Sequence, residues 1–210
     1  MRLVSSARTR MAMTASATGL AAVCAVAASA GPVSAGSTIH ASYPVKGSTL
    51  IKAANFRLPL GPGKLASAVN LTTGHLTATL TLPDATGSFK QFGLIPVTAT
   101  TQFINDGPTT GTVNLNTGAV SSTSHVTLRV VSLTVAGLPV PVGPSCETVT
   151  PAVVPVKSQP GFSILQGGNL AGTYTIPQFA NCGLATSLLN LTVPGPGNTI
   201  TLTLGKAKIG

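Results

Sequence analysis

Asp84, Asp106 and Glu147 are the whole acid inventory of this 210-residue chain, and His40, His75 and His125 are its only histidines. Any chemistry would have to be assembled from these residues and a hydroxyl or thiol. Glycosidic cleavage needs two carboxylates flanking one bond, and no two acids here are close in sequence. Asp84 and Asp106 fall in the turn signals Asp84-Ala85-Thr86-Gly87 and Asn105-Asp106-Gly107-Pro108, where a carboxylate ordinarily bonds its own backbone. A three-histidine metal site would require a convergence that the histidine spacing does not specify. Ser163, in Gly161-Phe162-Ser163-Ile164-Leu165, lacks the second glycine of a nucleophile elbow. No phosphate-binding glycine loop or dinucleotide fingerprint follows a strand and opens a helix. The chain is expected to be non-enzymatic, with no cofactor and no metal.

Cysteine is the exception. Cys24 lies in an N-terminal segment with the three parts of a secretory leader. Arg2, Arg8 and Arg10 precede an uncharged, small and apolar stretch from Met11 to Ala28, and Ala28-Ser29-Ala30 forms an A-x-A cleavage site. Residues 1–30 therefore read as a cleaved signal helix and 31–210 as the mature chain. Val33-Ser34-Ala35 offers an alternative cut after Ala35. Export to the extracellular space leaves two cysteines, Cys146 and Cys182. An even count in an oxidising compartment predicts a disulfide. Closing a loop of about 37 residues, it would contribute about 3–4 kcal/mol.

The elements that must position these residues read as strands. Leu76-Thr77-Ala78-Thr79-Leu80-Thr81-Leu82 and Thr199-Ile200-Thr201-Leu202-Thr203-Leu204 alternate aliphatic and hydroxyl residues with period two. Val126-Thr127-Leu128-Arg129-Val130 begins the same way, and its phase slips at Val130-Val131, which predicts a bulge or burial of both faces. Leu94 to Ile104, Val149 to Val156 and Leu170 to Ile176 are further β-branched runs. Gly61-Pro62-Gly63 and Gly167-Gly168-Asn169 add turn signals. One short helical turn fits Leu184 to Leu189.

Part of this pattern repeats. Val69-Asn70-Leu71-Thr72-Thr73-Gly74 recurs as Val113-Asn114-Leu115-Asn116-Thr117-Gly118, and Gly93-Leu94 recurs at the same offset as Gly137-Leu138. Segments 69–94 and 113–138 thus form an internal hairpin repeat. Leu189-Asn190-Leu191-Thr192 reads as a looser third copy before another alternating run. Together the mature residues predict about ten to twelve strands in one all-β domain. With so few helices to cover a sheet, the aliphatic faces must bury against each other. An antiparallel sandwich is the first expectation and a closed barrel the alternative.

The chain is basic, with twelve Lys and Arg against three acids, and it has no Trp. Its cations are scattered and no aromatics interleave them, which excludes a specific nucleic-acid site. The sign instead suits an anionic cell-wall or membrane-surface component. With only Tyr43 and Tyr174 besides its phenylalanines, the chain has no obvious sugar-stacking platform. The Thr-x-Thr ladders Thr77/Thr79/Thr81, Thr98/Thr100, Thr173/Thr175 and Thr199/Thr201/Thr203 read as solvent faces of strands. The stretch Gly137 to Pro144 and the turn Gly195-Pro196-Gly197 read as loop tips.

The leader, the Ala/Thr/Gly/Val bias and the segments Gln166-Gly167-Gly168-Asn169-Leu170-Ala171-Gly172-Thr173-Tyr174-Thr175-Ile176-Pro177 and Pro194-Gly195-Pro196-Gly197-Asn198-Thr199 resemble small β-rich proteins secreted by GC-rich Gram-positive bacteria. That resemblance implies export and β-structure, and no particular activity. The function expected from the whole reading is a secreted, non-catalytic structural or adhesive protein of the envelope or extracellular space. The alternative is a carrier for an apolar, lipid-like small molecule, with Phe56, Phe92, Phe103 and Phe179 lining one pocket. A hydrolase is third, and would need a histidine, an acid and a hydroxyl in one cleft.

Overall fold

The computed structural model describes residues 37–210, so the expected signal segment 1–30, with its cleavage sites after Ala30 or Ala35, lies outside the described residues. In chain order the strands are β1 (Thr38–Ile51), β2 (Phe56–Asn70), β3 (His75–Thr81), β4 (Ala85–Gln91), β5 (Ile95–Asn105), β6 (Thr109–Val113) and β7 (Val120–Val135). There follow β8 (Leu138–Pro139), β9 (Glu147–Thr148), β10 (Ala152–Ser158), β11 (Gly168–Ile176) and β12 (Phe179–Ala180). Helix α1 (Ala185–Thr192) precedes β13 (Gly195–Leu204) and β14 (Lys208–Ile209).

Eight strands close into an antiparallel barrel in the order β10, β11, β13, β1, β2, β3, β6, β7. The closing seam runs from Ala152 opposite Val126 to Lys157 opposite Ser121. The all-β expectation holds, with the barrel in place of the sandwich. The reason lies in β7, whose 16 residues change partners along their length. Its first half sits in the ring between β6 and β10, and its second half leaves the ring to pair with β5. A ring edge that would otherwise be left open is therefore satisfied by β10, as unpaired strand edges require.

The period-two faces sort as hydroxyl out and aliphatic in. Leu76, Ala78, Leu202 and Leu204 are buried, whereas Thr79 and Thr201 are exposed. Outward rows of the ring carry residues such as His75, Thr112, Ser121, Lys157 and Thr201 in register. This is the reverse of a lipid-spanning barrel, whose apolar band faces outward. Thr98 and Thr100 bond Ser88 and Thr86 across β4–β5, at 2.7 and 2.9 Å.

Two irregularities bend the strands. The pairing of β5 with β7 passes from Thr100–Ser132 to Thr101–Val130, leaving Val131 as the extra residue. This is the bulge that the phase slip at Val130-Val131 anticipates. The second corrects an expectation. Gly61-Pro62-Gly63 is no turn but lies inside β2, where Gly61 and Pro62 together oppose Lys46 between the pairs Val45–Gly63 and Gly47–Leu60. Pro62 has no N–H to donate, and at a bulge none is needed. The signal Asp84–Gly87 also shrinks, because β4 already starts at Ala85.

The hairpin repeat is reproduced bond for bond. Asn70 Oδ1 accepts from the backbone N–H groups of Thr72 and Thr73, and Asn114 Oδ1 accepts from those of Asn116 and Thr117. Gly74 and Gly118 then take φ values of 71° and 74°, a region open to glycine. The third copy behaves differently. Leu189-Asn190-Leu191-Thr192 is the last turn of α1, where Leu189 is buried and the Asn190 amide exchanges two hydrogen bonds with the backbone of Phe179. Tertiary partners override the local resemblance.

Both tyrosines are structural. The Tyr43 hydroxyl donates to the Ile164 carbonyl at 2.8 Å, and the Tyr174 hydroxyl pairs with Thr49 Oγ1 at 2.7 Å. Burial raises the pKa of each above 10.0, opposed in part by hydrogen bonds with Ser67 and Thr49 respectively. The neutral phenols are thus favoured in the folded state. Their contribution to stability is intact below pH 10 and is lost as the pH rises through the folded values. In an alkaline titration, tyrosinate absorbance is expected to develop only above the free-tyrosine pH and together with loss of β-sheet circular dichroism. Ionisation of both tyrosines at the ordinary pH in a folded protein would contradict their placement.

Candidate functional site

The residues expected to do chemistry stay apart. His40, His75 and His125 are exposed, as are Asp84 and Asp106. Among the described residues the one ion pair is Arg129–Glu147 at 3.0 Å, and no group of three His, Cys, Asp or Glu side chains is poised for a metal. Asp106 receives the Thr127 hydroxyl at 2.6 Å, and its backbone N–H bonds the His125 carbonyl. That neighbourhood brings an acid, a hydroxyl and a histidine residue near one another, but the carboxylate meets the threonine and not the imidazole. Ser163 Oγ accepts from the Leu165 N–H inside its own turn. Cys146 and Cys182 form the expected disulfide, with both residues fully buried and Cα atoms 4.3 Å apart.

The interior of the barrel is largely filled. One void of about 60 Å³ is lined by residues including Tyr43, Leu76, Ser122 and Leu204, and another of about 70 Å³ by residues including Leu60, Phe103, Val154 and Tyr174. Pockets that hold drug-sized ligands measure about 300–1,000 Å³. The four phenylalanines expected to share a pocket do not. Phe103 faces a barrel void, Phe56 and Phe179 pack with Leu189 and Val193 beneath the helix, and Phe92 stands exposed.

A larger concavity, of about 540 Å³, opens at the helix-bearing end of the barrel. Three pieces build it: the β1–β2 turn (Ala53, Ala54, Asn55, Phe56), the β4–β5 hairpin (Ser88 to Gly93) and the end of α1 (Leu191, Thr192). Each piece has its own anchor. Asn198 is buried and accepts from Lys52 N–H while donating to the Gly195 and Tyr174 carbonyls, which pins the β1–β2 turn to β13 and β11. Asn190 ties the helix to β12, and the disulfide ties the helix entrance to the segment before β9. The hairpin folds at Phe92-Gly93, and Leu94 N–H donates to the Gln91 carbonyl at 3.1 Å.

Two features of that hairpin run against stability. Phe92 takes φ 51°, and a large side chain there is strained by about 1–3 kcal/mol. Gln91 is only 1% exposed, and neither its amide oxygen nor its nitrogen has a hydrogen-bond partner. An unpaired buried amide costs about 1–3 kcal/mol. Gln91→Met keeps the volume and removes the polar atoms, so it is expected to raise unfolding free energy by about 1–2 kcal/mol in urea titration. Destabilisation by that substitution would mean the amide is satisfied.

The site is not legible in the sequence, because its lining comes from three separated segments with no motif among them. The one signal present was the repeated Gly-Leu at 93–94 and 137–138. No family model, no curated protein and no solved structure matches the chain.

Proposed function

We propose that this is an exported, non-catalytic adhesive protein of the cell envelope or extracellular space, which acts by docking the helix-bearing end of its barrel onto a partner. One observation carries the reading. Strained Phe92, orphaned Gln91 and the concavity of about 540 Å³ coincide at one end, while His40, His75, His125, Asp84 and Asp106 are exposed and dispersed. Local rules broken without a packing gain are expected at functional positions. The hydroxyl-rich outer face of the ring supplies solubility with few charges, a complement to docking and not its contact surface.

Sedimentation of the purified protein with envelopes isolated from its own producing cells tests the proposal. Specific co-sedimentation, lost when Phe92-Gly93-Leu94 is replaced by Asn-Gly-Ser, is the expected result. Equal binding by that variant, or none by either, overturns the reading.

A second reading, carriage of an apolar small molecule, is favoured by the size of the cleft alone, since neither barrel void has room for a lipid. Native mass spectrometry of protein from the culture medium separates the two. The adhesive reading expects the bare polypeptide mass, and the carrier reading a stoichiometric adduct.

A further inference from the structure

We infer that the partner is an anionic lipid surface, which the protein enters with the tips of two neighbouring hairpins; this rests on the docking reading above. The first tip is Gln91-Phe92-Gly93-Leu94, between β4 and β5, and the second is Val135-Ala136-Gly137-Leu138, between β7 and β8. Both have positive φ at their two central residues: 51° and 73° at Phe92-Gly93, 51° and 82° at Ala136-Gly137. That is the geometry of a tight hairpin turn whose usual occupants are Asn and Gly. Here the turns carry Phe92 and Ala136 instead, each followed by Gly and then Leu.

The consequence is a set of large apolar side chains held out into solvent. Phe92 is 70% exposed, Leu94 81% and Leu138 71%. The tips are neighbours because β5 pairs with β7, and the Ala136 N–H donates to the Pro96 carbonyl at 2.8 Å. By strand spacing they stand roughly 10 Å apart. Leu191, at the end of α1, adds a fourth exposed residue across the cleft from Phe92. Leu94 and Leu138 do not line that cleft. Separate, protruding apolar tips suit a deformable medium that closes around each one, whereas a flat protein interface needs a contiguous patch.

Charge identifies the medium. The segments 52–56, 88–96, 135–142 and 184–193 that form this end contain Lys52 and Lys90 and not one acid. Glu147 is tied to Arg129, while Asp84 and Asp106 lie at the ends of β4 and β5 away from the tip. Lysines beside inserted aliphatic and aromatic residues keep their ammonium groups at headgroup level while their stems lie along apolar surface. Each such cation near an anionic leaflet strengthens binding by about 5-fold.

The test is sedimentation of the chain, as its host processes it, with vesicles of phosphatidylcholine, with vesicles of equal parts phosphatidylcholine and phosphatidylglycerol, and with isolated peptidoglycan. Binding is expected to the phosphatidylglycerol vesicles and to weaken with added salt. Leu94→Ser and Leu138→Ser should each reduce it by about 10-fold, and Lys52→Gln with Lys90→Gln by about 25-fold at low salt. Phe92→Asn is the decisive variant. It relieves the backbone strain, so thermal stability should hold or rise while vesicle binding falls by about 10-fold. Stable, folded variants that bind vesicles as well as the parent overturn the inference. Binding to peptidoglycan and not to vesicles overturns the lipid partner and leaves the docking reading standing. Binding to neither overturns both.

Discussion

Gly172→Val is expected to leave little folded protein. Gly172 lies in β11 at the seam with β10, and a Cβ built there collides with the Pro155 carbonyl oxygen and falls 3.2 Å from the Val156 Cα. The obstacle is backbone in the strand that also pairs with β7 and closes the ring. It cannot be avoided by turning a side chain. Overpacking a compliant core costs about 1–3 kcal/mol, and displacing a closing strand should exceed that, approaching the whole stability of a marginal domain. Gly107→Ala is the matched control, because Gly107 has open space around it and a φ of 87°. It should cost only the backbone penalty of about 1–2 kcal/mol. Urea midpoints for both variants, with gel filtration to count monomer, decide the matter. Were Gly172→Val as stable as its parent, β10 and β11 would not be closed against each other, and an open sandwich would return as the better description.

Joint replacement of Cys146 and Cys182 by serine should lower stability by about 3–4 kcal/mol, the entropy released when a cross-link spanning 36 residues is lost. The loss should be uneven along the chain. Cys146 follows the loop after β8, and its carbonyl accepts from Val130 N–H at 2.8 Å. Cys182 opens the approach to α1, where its N–H donates to Thr186 Oγ1 at 3.1 Å. The bond therefore fastens the helix to the part of β7 that has left the ring. Hydrogen exchange should accelerate first in residues 185–192, with the turns at Asn70 and Asn114 unaffected, as local unfolding of a lightly packed unit predicts. Uniform acceleration across the barrel would show that the cross-link holds the ring itself.

The residues behind these two effects differ in how far the sequence alone places them. Alternation in Leu76–Leu82 and Thr199–Leu204 was enough to assign faces, because successive side chains in a strand must point to opposite sides. The slip at Val131 was readable for the same reason, since one extra residue inverts every later face. Asn70 and Asn114 announced their turns because those bonds are local. Gly61-Pro62-Gly63 misled, since a bulge and a turn ask for the same residues. Leu189–Thr192 misled because its helix depends on Phe179, a partner the local sequence does not name.

The candidate site was less readable still. Phe92 beside Gly93 looks like any hairpin residue until its neighbours are known. Only the pairing of β5 with β7 sets it beside Leu138, and only α1 brings Leu191 across the cleft.

Strand content, the hairpin repeat and the disulfide partners were legible in the sequence, the first two because they follow from short-range stereochemistry, and the third because Cys146 and Cys182 are the cysteines left once Cys24 is read as part of the expected leader. Ring closure and the gathering of exposed apolar tips at one end were decided by tertiary structure. Sandwich and barrel bury the same alternating pattern equally well, and the choice between them fell to where one long strand, β7, parts from β6 and β10 and takes β5 instead.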